Sequence, residues 1–517
     1  MSKRIILVLG AVLFAAVAHA QSLTLGNKLE LNTLDPHFFA SFAPNSSLQY
    51  FFDKLTEYDD KLKVRPALAT SWKLLDDTTW EFKLRQGVKF HDGSPFTADD
   101  VIFTIERVPN VPNSPNSFAQ FTRGIESVKK VDDHTIVVKT RAANPQLTSD
   151  FANIFIVQAK AARGATTADF NSGKAVVGTG PYKLVKFVTG ELLEVERFDG
   201  YWGGKQPWAR VTERTIARDP ARLASLLAGQ VDAIDAVPIP DLERLKKEGK
   251  YGLFRGPAAL VHYVALDSDR NVSPFVTARD GKPLASNPLK DPRVRKALSL
   301  ALNRDAIAKR VMEGSATPAS QMMPPIYPTA SKSLKPDAYD VAKAQALLKE
   351  AGWGDGFRIV LHATGDRYPN DAAVAQAIAQ MWTRIGLKAE VEALPGAVFF
   401  TRASKQEFSA FAAQYGAEDS INSLRALVAS YDTAKGYGTA NRVRYSNPVV
   451  DNLLTETLTT MDDELRQAKL ERAINFAMGD QPLIPVFHPT FDFAARKGLT
   501  VTPRAQRRFN AMMVAPK

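Results

Sequence analysis

Apolar residues along this chain switch repeatedly between a period of two and a helical period. Trp80, Phe82 and Leu84 alternate with Glu81 and Lys83, the pattern of a half-buried strand, and Gly87 with Asp92-Gly93 mark turns after it. Thr135 to Lys139, Tyr182 to Phe187 and Leu192 to Arg197 read the same way, and Leu23 to Leu25 predicts a short first strand that Leu34-Asp35-Pro36 cuts off. Between these runs the spacing changes. Thr97 predicts a helix cap, with Asp100 three residues on to complete a capping box and Val101, Ile102 and Ile105 as the buried face. Asp219-Pro220 predicts another helix, Asp219 capping it and Gly229 closing it ahead of Val231 to Ile234. The punctuation recurs at Asp291-Pro292, where Val294, Ala297, Leu298 and Ala301 share one face. Helices alternating with strands define an α/β protein.

The stretch from Asp340 onward is the most regular. Asp340 caps a helix that Gly352 ends, Phe357 to His362 is a strand, and Asp371 caps a helix carrying Val374, Ile378, Met381, Trp382 and Ile385 up to Gly386. Between strand and helix lies Thr364-Gly365-Asp366-Arg367-Tyr368-Pro369-Asn370. Such a strand-to-helix loop is where open α/β sheets hold ligands, and Arg367 in it lies just ahead of a helix amino end, a place suited to anions.

The first twenty residues change the picture of where the protein works. Lys3 and Arg4 precede an apolar stretch from Ile5 to about Val17, and Ala18-His19-Ala20 predicts signal-peptide cleavage after Ala20. No later run approaches the ~18 apolar residues of a membrane span. The chain has no cysteine, which removes disulfides, thiolate metal sites and the thiol of a bacterial lipid anchor. The expected compartment is a Gram-negative periplasm. Its formal charge of +11 includes Lys3 and Arg4 and is otherwise dispersed; the tightest cluster, Arg504, Arg507 and Arg508, lacks the interleaved aromatics of a nucleic-acid groove. With 517 residues and no repeat or low-complexity linker, two or more lobes that interrupt one another are expected.

Candidate enzymatic chemistry is sparse. His37, His91, His134, His262, His362 and His488 are spread too widely for a helical metal pair, so no metal site and no cofactor is expected. Gly178-Thr179-Gly180-Pro181-Tyr182-Lys183 lacks the Lys-Ser/Thr ending of a phosphate loop, and its proline removes a backbone donor. No Gly-x-Ser-x-Gly elbow occurs. Trp72, Trp80, Trp202 and Trp208 fall in patterned segments where core packing is the default role.

Two long segments carry a resemblance. Arg65-Pro66-Ala67-Leu68-Ala69-Thr70-Ser71-Trp72, and the run Thr79-Trp80-Glu81-Phe82-Lys83-Leu84-Arg85-Gln86-Gly87-Val88-Lys89-Phe90-His91-Asp92-Gly93-Ser94-Pro95-Phe96-Thr97-Ala98-Asp99-Asp100-Val101, resemble the family 5 extracellular solute-binding proteins, the periplasmic dipeptide and oligopeptide receptors of ABC importers. Gly178 to Tyr182, Tyr201-Trp202-Gly203, Asp291 to Leu298 and Ala351-Gly352 agree with it.

The resemblance implies a periplasmic-binding-protein-like fold of two lobes with two hinge crossings and an extra inserted α/β domain. It places lobe I at 21–52, 179–264 and 490–517, the inserted domain at 53–178 and lobe II at 265–489. It implies a small peptide or peptide-like ligand, an inner-membrane permease with its ATPase as partner, a monomer, and no catalysis, nucleic acid or stable membrane insertion. The family closes its lobes over a peptide. Asp366-Arg367-Tyr368-Pro369-Asn370-Asp371 is similar to a shortened form of the dipeptide receptors' loop, which makes Arg367 the residue that holds a ligand carboxylate. Those receptors carry Gly-Trp-x-x-Asp for the ligand amine and a second acid three residues later. Here Ala413 falls at the tryptophan, Gly416 at the aspartate and Asp419 at the second acid. The amine anchor is missing, Asp419 or Glu418 is its replacement after a loop shift, and Tyr415 supplies aromatic surface. A nickel chelate, haem, glutathione or opine-like conjugate is the alternative ligand within the family, and a secreted hydrolase is the alternative from another class.

Overall fold

The structure, a computed structural model, describes residues 22–40, 44–505 and 509–517. The signal segment and its cleavage site at Ala20, and Arg507 and Arg508 of the basic cluster, lie outside the described residues. Contacts divide the chain into two compact units, Met1–Gly256 with Phe491–Lys517, and Pro257–Thr490. The chain leaves the first unit within the strand Tyr251–Pro257 and returns to it within the long strand Leu483–Arg496.

In the first unit, Ser22–Asn27 runs parallel to Arg210–Thr215, which continues antiparallel through Leu192–Arg197 to Tyr182–Val188. Leu23 and Leu25 turn inward onto Tyr50, Phe51, Tyr182 and Trp208, all buried. The helix after Arg210–Thr215 corrects one expectation: it spans Asp219–Leu227, and its cap is Arg218. Asp219 is the first helical residue because proline follows it, and its carboxylate accepts from Arg222 at 2.6 Å and Lys28 at 3.2 Å instead of from the helix backbone. A separate four-stranded antiparallel sheet, in the order Ala69–Asp76, Thr79–Leu84, Thr135–Thr140, Ile125–Asp132, packs against the helix Ala98–Arg107. That helix has the expected Thr97/Asp100 capping box, with Val101 and Ile105 buried.

Gly178 and Gly180 owe their identity to packing. A Cβ on Gly178 would lie 1.8 Å from the Phe51 carbonyl oxygen, and one on Gly180 would lie 2.6 Å from the Tyr50 oxygen. The Gly180 N–H donates to Phe51 O at 2.9 Å. Two backbones approach so closely here that only glycine fits.

The second unit is built on a mixed sheet. Ala410–Gly416 pairs antiparallel with Leu260–Leu266 and parallel with Arg358–Thr364, which in turn runs parallel to Lys388–Leu394. Val261, Tyr263, Ala265, Phe411 and Ala413 turn one face of this sheet onto Leu424, Leu454 and Ile474. Asp340 caps Val341–Glu350 through the Lys343 N–H at 2.8 Å, and Asp291 caps Pro292–Leu300. The helix Asp371–Arg384 buries Val374, Ile378 and Trp382 and ends at Gly386, whose φ of +100° suits glycine. Its cap corrects a second expectation. Asn370, in the left-handed conformation at φ +55°, occupies the cap, and Asp371 is the first helical residue with its carboxylate turned back into the preceding loop.

Candidate ligand-binding site

Three parallel strands of the second unit, Arg358–Thr364, Lys388–Leu394 and Ala410–Gly416, end at one rim of the sheet. The segments that follow them are therefore neighbours: the loop Gly365–Asn370, the helix Gly396–Ser404 and the turn into the helix Ser420–Leu427. Hydrogen bonds tie the first two together. Gly365 N–H donates to Leu394 O at 2.9 Å, and the Gly396 N–H at the start of its helix donates to the Asp366 carboxylate at 2.8 Å.

Within the Arg367 loop, the buried Asp371 carboxylate accepts from the Thr364 hydroxyl at 2.5 Å and from the backbone N–H groups of Arg367 and Tyr368 at 3.1 and 3.2 Å. Asn370 donates to Val311 O at 2.8 Å. The loop is thus fixed from inside while the Arg367 side chain is exposed. Its guanidinium lies 5.7 Å from the centre of the Phe400 ring and forms no ion pair among the described residues. Burial raises the Tyr368 hydroxyl above the usual phenol range; the Arg367 charge, a bond at the Gln414 backbone, a bond with the Arg367 side chain and the Arg442 charge oppose it.

Tyr415 is half-buried at the end of its strand and packs against the core of the unit. Burial pushes its hydroxyl up to about 12, with the charges of Arg425 and Arg442 lowering it and those of Glu418 and Asp419 raising it. Asp419 is buried and serves as a helix cap: its carboxylate accepts from the Asn422 N–H at 2.6 Å and from the Asn422 side-chain amide at 3.2 Å. Ala413, at the position of the receptors' tryptophan, is buried in the core.

Arg442 had no motif to mark it. Its guanidinium lies 5.7 Å from the Phe400 ring centre, the same ring that Arg367 overlies, and its charge reaches the hydroxyls of Tyr263, Tyr368 and Tyr415. The flanking residues hold it there. Asn441 is buried and donates to Ala429 O at 3.1 Å and Tyr445 O at 2.7 Å, while Val443 is buried in the core. Arg442 thus shares the Phe400 ring with Arg367, and its charge acts on the hydroxyls of Tyr368 and Tyr415. Among the described residues no cluster of His, Asp or Glu could hold a metal ion, and no helix is long and apolar enough to cross a membrane.

The rim of parallel-strand ends thus presents the cations Arg367 and Arg442 beside the rings of Phe400, Tyr368 and Tyr415. The family profile described as bacterial extracellular solute-binding proteins, family 5 (middle), matches residues 63–436. The chain belongs to that family, the solute-binding subunits of ABC importers. It is 28% identical over 474 residues to heme-binding protein A of Haemophilus influenzae, covering 86% of this chain and 82% of that protein. It is also 28% identical over 466 residues to the glutathione-binding protein GsiB of Pectobacterium atrosepticum, covering 87% and 85%. In fold it is similar to the periplasmic binding protein DppA of Helicobacter pylori, solved with the peptide STSA, at a TM-score of 0.77 and 23% identity over 97% of this chain and 99% of that one.

Proposed function

We propose that the protein captures a small peptide or peptide-like solute with a free carboxylate in a Gram-negative periplasm and delivers it to an inner-membrane permease driven by a separate ATPase. The observation that carries this reading is Arg367. It is exposed on a loop fixed by Asp371, has no carboxylate partner among the described residues, and stands where a bidentate carboxylate contact can form. In this reading the chain is cleaved after Ala20, works as a monomer without catalysis, and carries residues 53–178 as a domain inserted between the lobe I segments 21–52 and 179–264, with lobe II at 265–489. Asp419 or Glu418 is the group for a ligand amine, Asp419 also capping a helix through its carboxylate, and Tyr415 offers ring surface beside them.

A second reading replaces the peptide with a non-peptide solute. It is supported by the relatives named for haem and for glutathione. Mass spectrometry of material that co-purifies with the protein separates the two. Calorimetry with a free peptide, its amide and its acetylated form tests the anchor: Arg367→Ala is expected to cost about 2–5 kcal/mol for free acids and much less for amides. Equal losses for acid and amide would remove Arg367 from the site. Turnover of a bound peptide in a product assay would favour the hydrolase instead.

A further inference from the structure

We infer that the ligand carries two acidic groups and that Arg442 holds the second of them. This rests on the reading of Arg367 as the first carboxylate anchor, and it deepens that reading by naming the ligand's charge.

The geometry is specific. Arg367 and Arg442 come from distant segments, yet both guanidinium groups lie 5.7 Å from the centre of one ring, Phe400. Arg442 is half-buried, and among the described residues its guanidinium has no hydrogen-bond or ion-pair partner. A guanidinium has five N–H donors in a rigid fork and cannot lose its charge at any pH the protein meets. The ring face satisfies none of those donors directly, and a cation–ring contact at such a site is weak. Withdrawing the group partly from water without an acceptor is costly, and bringing two cations to one ring adds their repulsion. An arrangement of this kind is expected where an outside anion completes it.

Arg442 is also held in place before any ligand arrives. Asn441 and Val443 on either side are buried, and Asn441 bonds the backbone at Ala429 and Tyr445. Polar groups surround it: burial raises the hydroxyl pKa values of Tyr263, Tyr368 and Tyr415, and the Arg442 charge opposes that rise at all three, which places them within reach of its charge. The third arginine here, Arg425, is engaged differently, donating to the Asn422 side chain at 2.9 Å. The Asp419 carboxylate beside Tyr415 is directed to the Asn422 N–H groups. One cation per acidic group, at Arg367 and Arg442, is the division of labour that remains.

The test uses the mature protein, freed of co-purified ligand, and six tripeptides: Glu-Ala-Ala, Ala-Glu-Ala and Ala-Ala-Glu, and the same three with Gln for Glu. At least one Glu peptide is expected to bind about tenfold or more tightly than its Gln counterpart, the size of a charge-assisted contact. That ratio should fall to about threefold or less in Arg442→Gln, whereas Arg367→Gln should weaken the Glu and Gln peptides alike. The wild-type ratio needs no variant, so it decides whether a second acid is recognised even if Arg442→Gln folds poorly. Equal binding of each Glu and Gln pair overturns the inference and leaves the peptide reading standing. A Glu preference that survives Arg442→Gln removes Arg442 from the site. If none of the six binds, glutarate and its half-amide are the remaining probes: a preference for glutarate that Arg442→Gln abolishes supports the inference without the peptide reading, and no binding of either overturns both.

Discussion

The carboxylate of Asp371 accepts the backbone N–H of Arg367 at 3.1 Å, reaching back across the loop that its own helix follows. It also takes the Tyr368 N–H and the Thr364 hydroxyl, so one buried acid sets the path of the loop that carries the cation. The position of Arg367 therefore depends on a buried acid beneath its loop.

Asp371→Ala is expected to lower stability by about 1–3 kcal/mol, since the Thr364 hydroxyl and the Arg367, Tyr368 and Ala372 N–H groups lose their acceptor, and to weaken free-acid ligands more than their amides because Arg367 loses its fixed position. Thermal melts with calorimetry on both ligand forms check this. A stability loss with unchanged discrimination between acid and amide would show that the loop does not need Asp371 to present Arg367.

In the proposed reading, ligand binding is expected to shift the protein from an open to a closed form. The chain crosses between its two compact units at Gly256/Pro257 and again at Thr490/Phe491, two connections of the kind a hinge requires. X-ray scattering should give a smaller radius of gyration with ligand than without. Identical profiles, with a ligand that calorimetry shows to bind, would count against closure.

Gly178→Ala is expected to destabilise the first unit by more than about 3 kcal/mol, because the new Cβ would lie 1.8 Å from a backbone oxygen that has no free rotation. The fraction that folds should keep wild-type affinity. A variant that melts like wild type would mean that the Phe51 backbone gives way easily.

His262 supplies a pH dependence. Its ring is buried and stacked on Phe487 at 4.7 Å, and burial lowers its pKa from 6.5 to about 3. A lowered pKa in the folded state means that unfolded chains take up the proton first as pH falls. The neutral ring's contribution is complete above pH 6.5 and is lost progressively from there towards about 3. Between pH 7 and 4.5, His262→Phe should lose less stability than wild type by about 2–3 kcal/mol, measured by urea melts at both values. His37, His91 and His488, also lowered by burial, act in both proteins and cancel in the comparison. Equal losses would mean that His262 reaches solvent before unfolding.

What was legible in the residues followed short-range physics. Alternation gave the strands at Thr79–Leu84 and Leu192–Arg197, and the Thr97/Asp100 and Asp340 caps were visible because a cap and its helix adjoin in the chain. The strand-to-helix loop identified Arg367 for the same reason, and the run from Arg65 to Val101 carried the family. The errors at Asp219 and Asp371 arose where two roles compete for one acid. A carboxylate beside a helix start can cap it or turn to other donors, and only the positions of Arg222 and Lys28, or of Thr364 and the loop N–H groups, decided which. Asp419, read in sequence only as a ligand group, caps the helix Ser420–Leu427, a role that sequence reasoning did not raise. Arg442 and Phe400 left no mark in sequence, because their meeting with Arg367 depends on three parallel strands ending at one rim and on the buried Asn441. Charges from distant segments combine only when the sheet's register brings them together, and that register is settled by the packing of the whole unit.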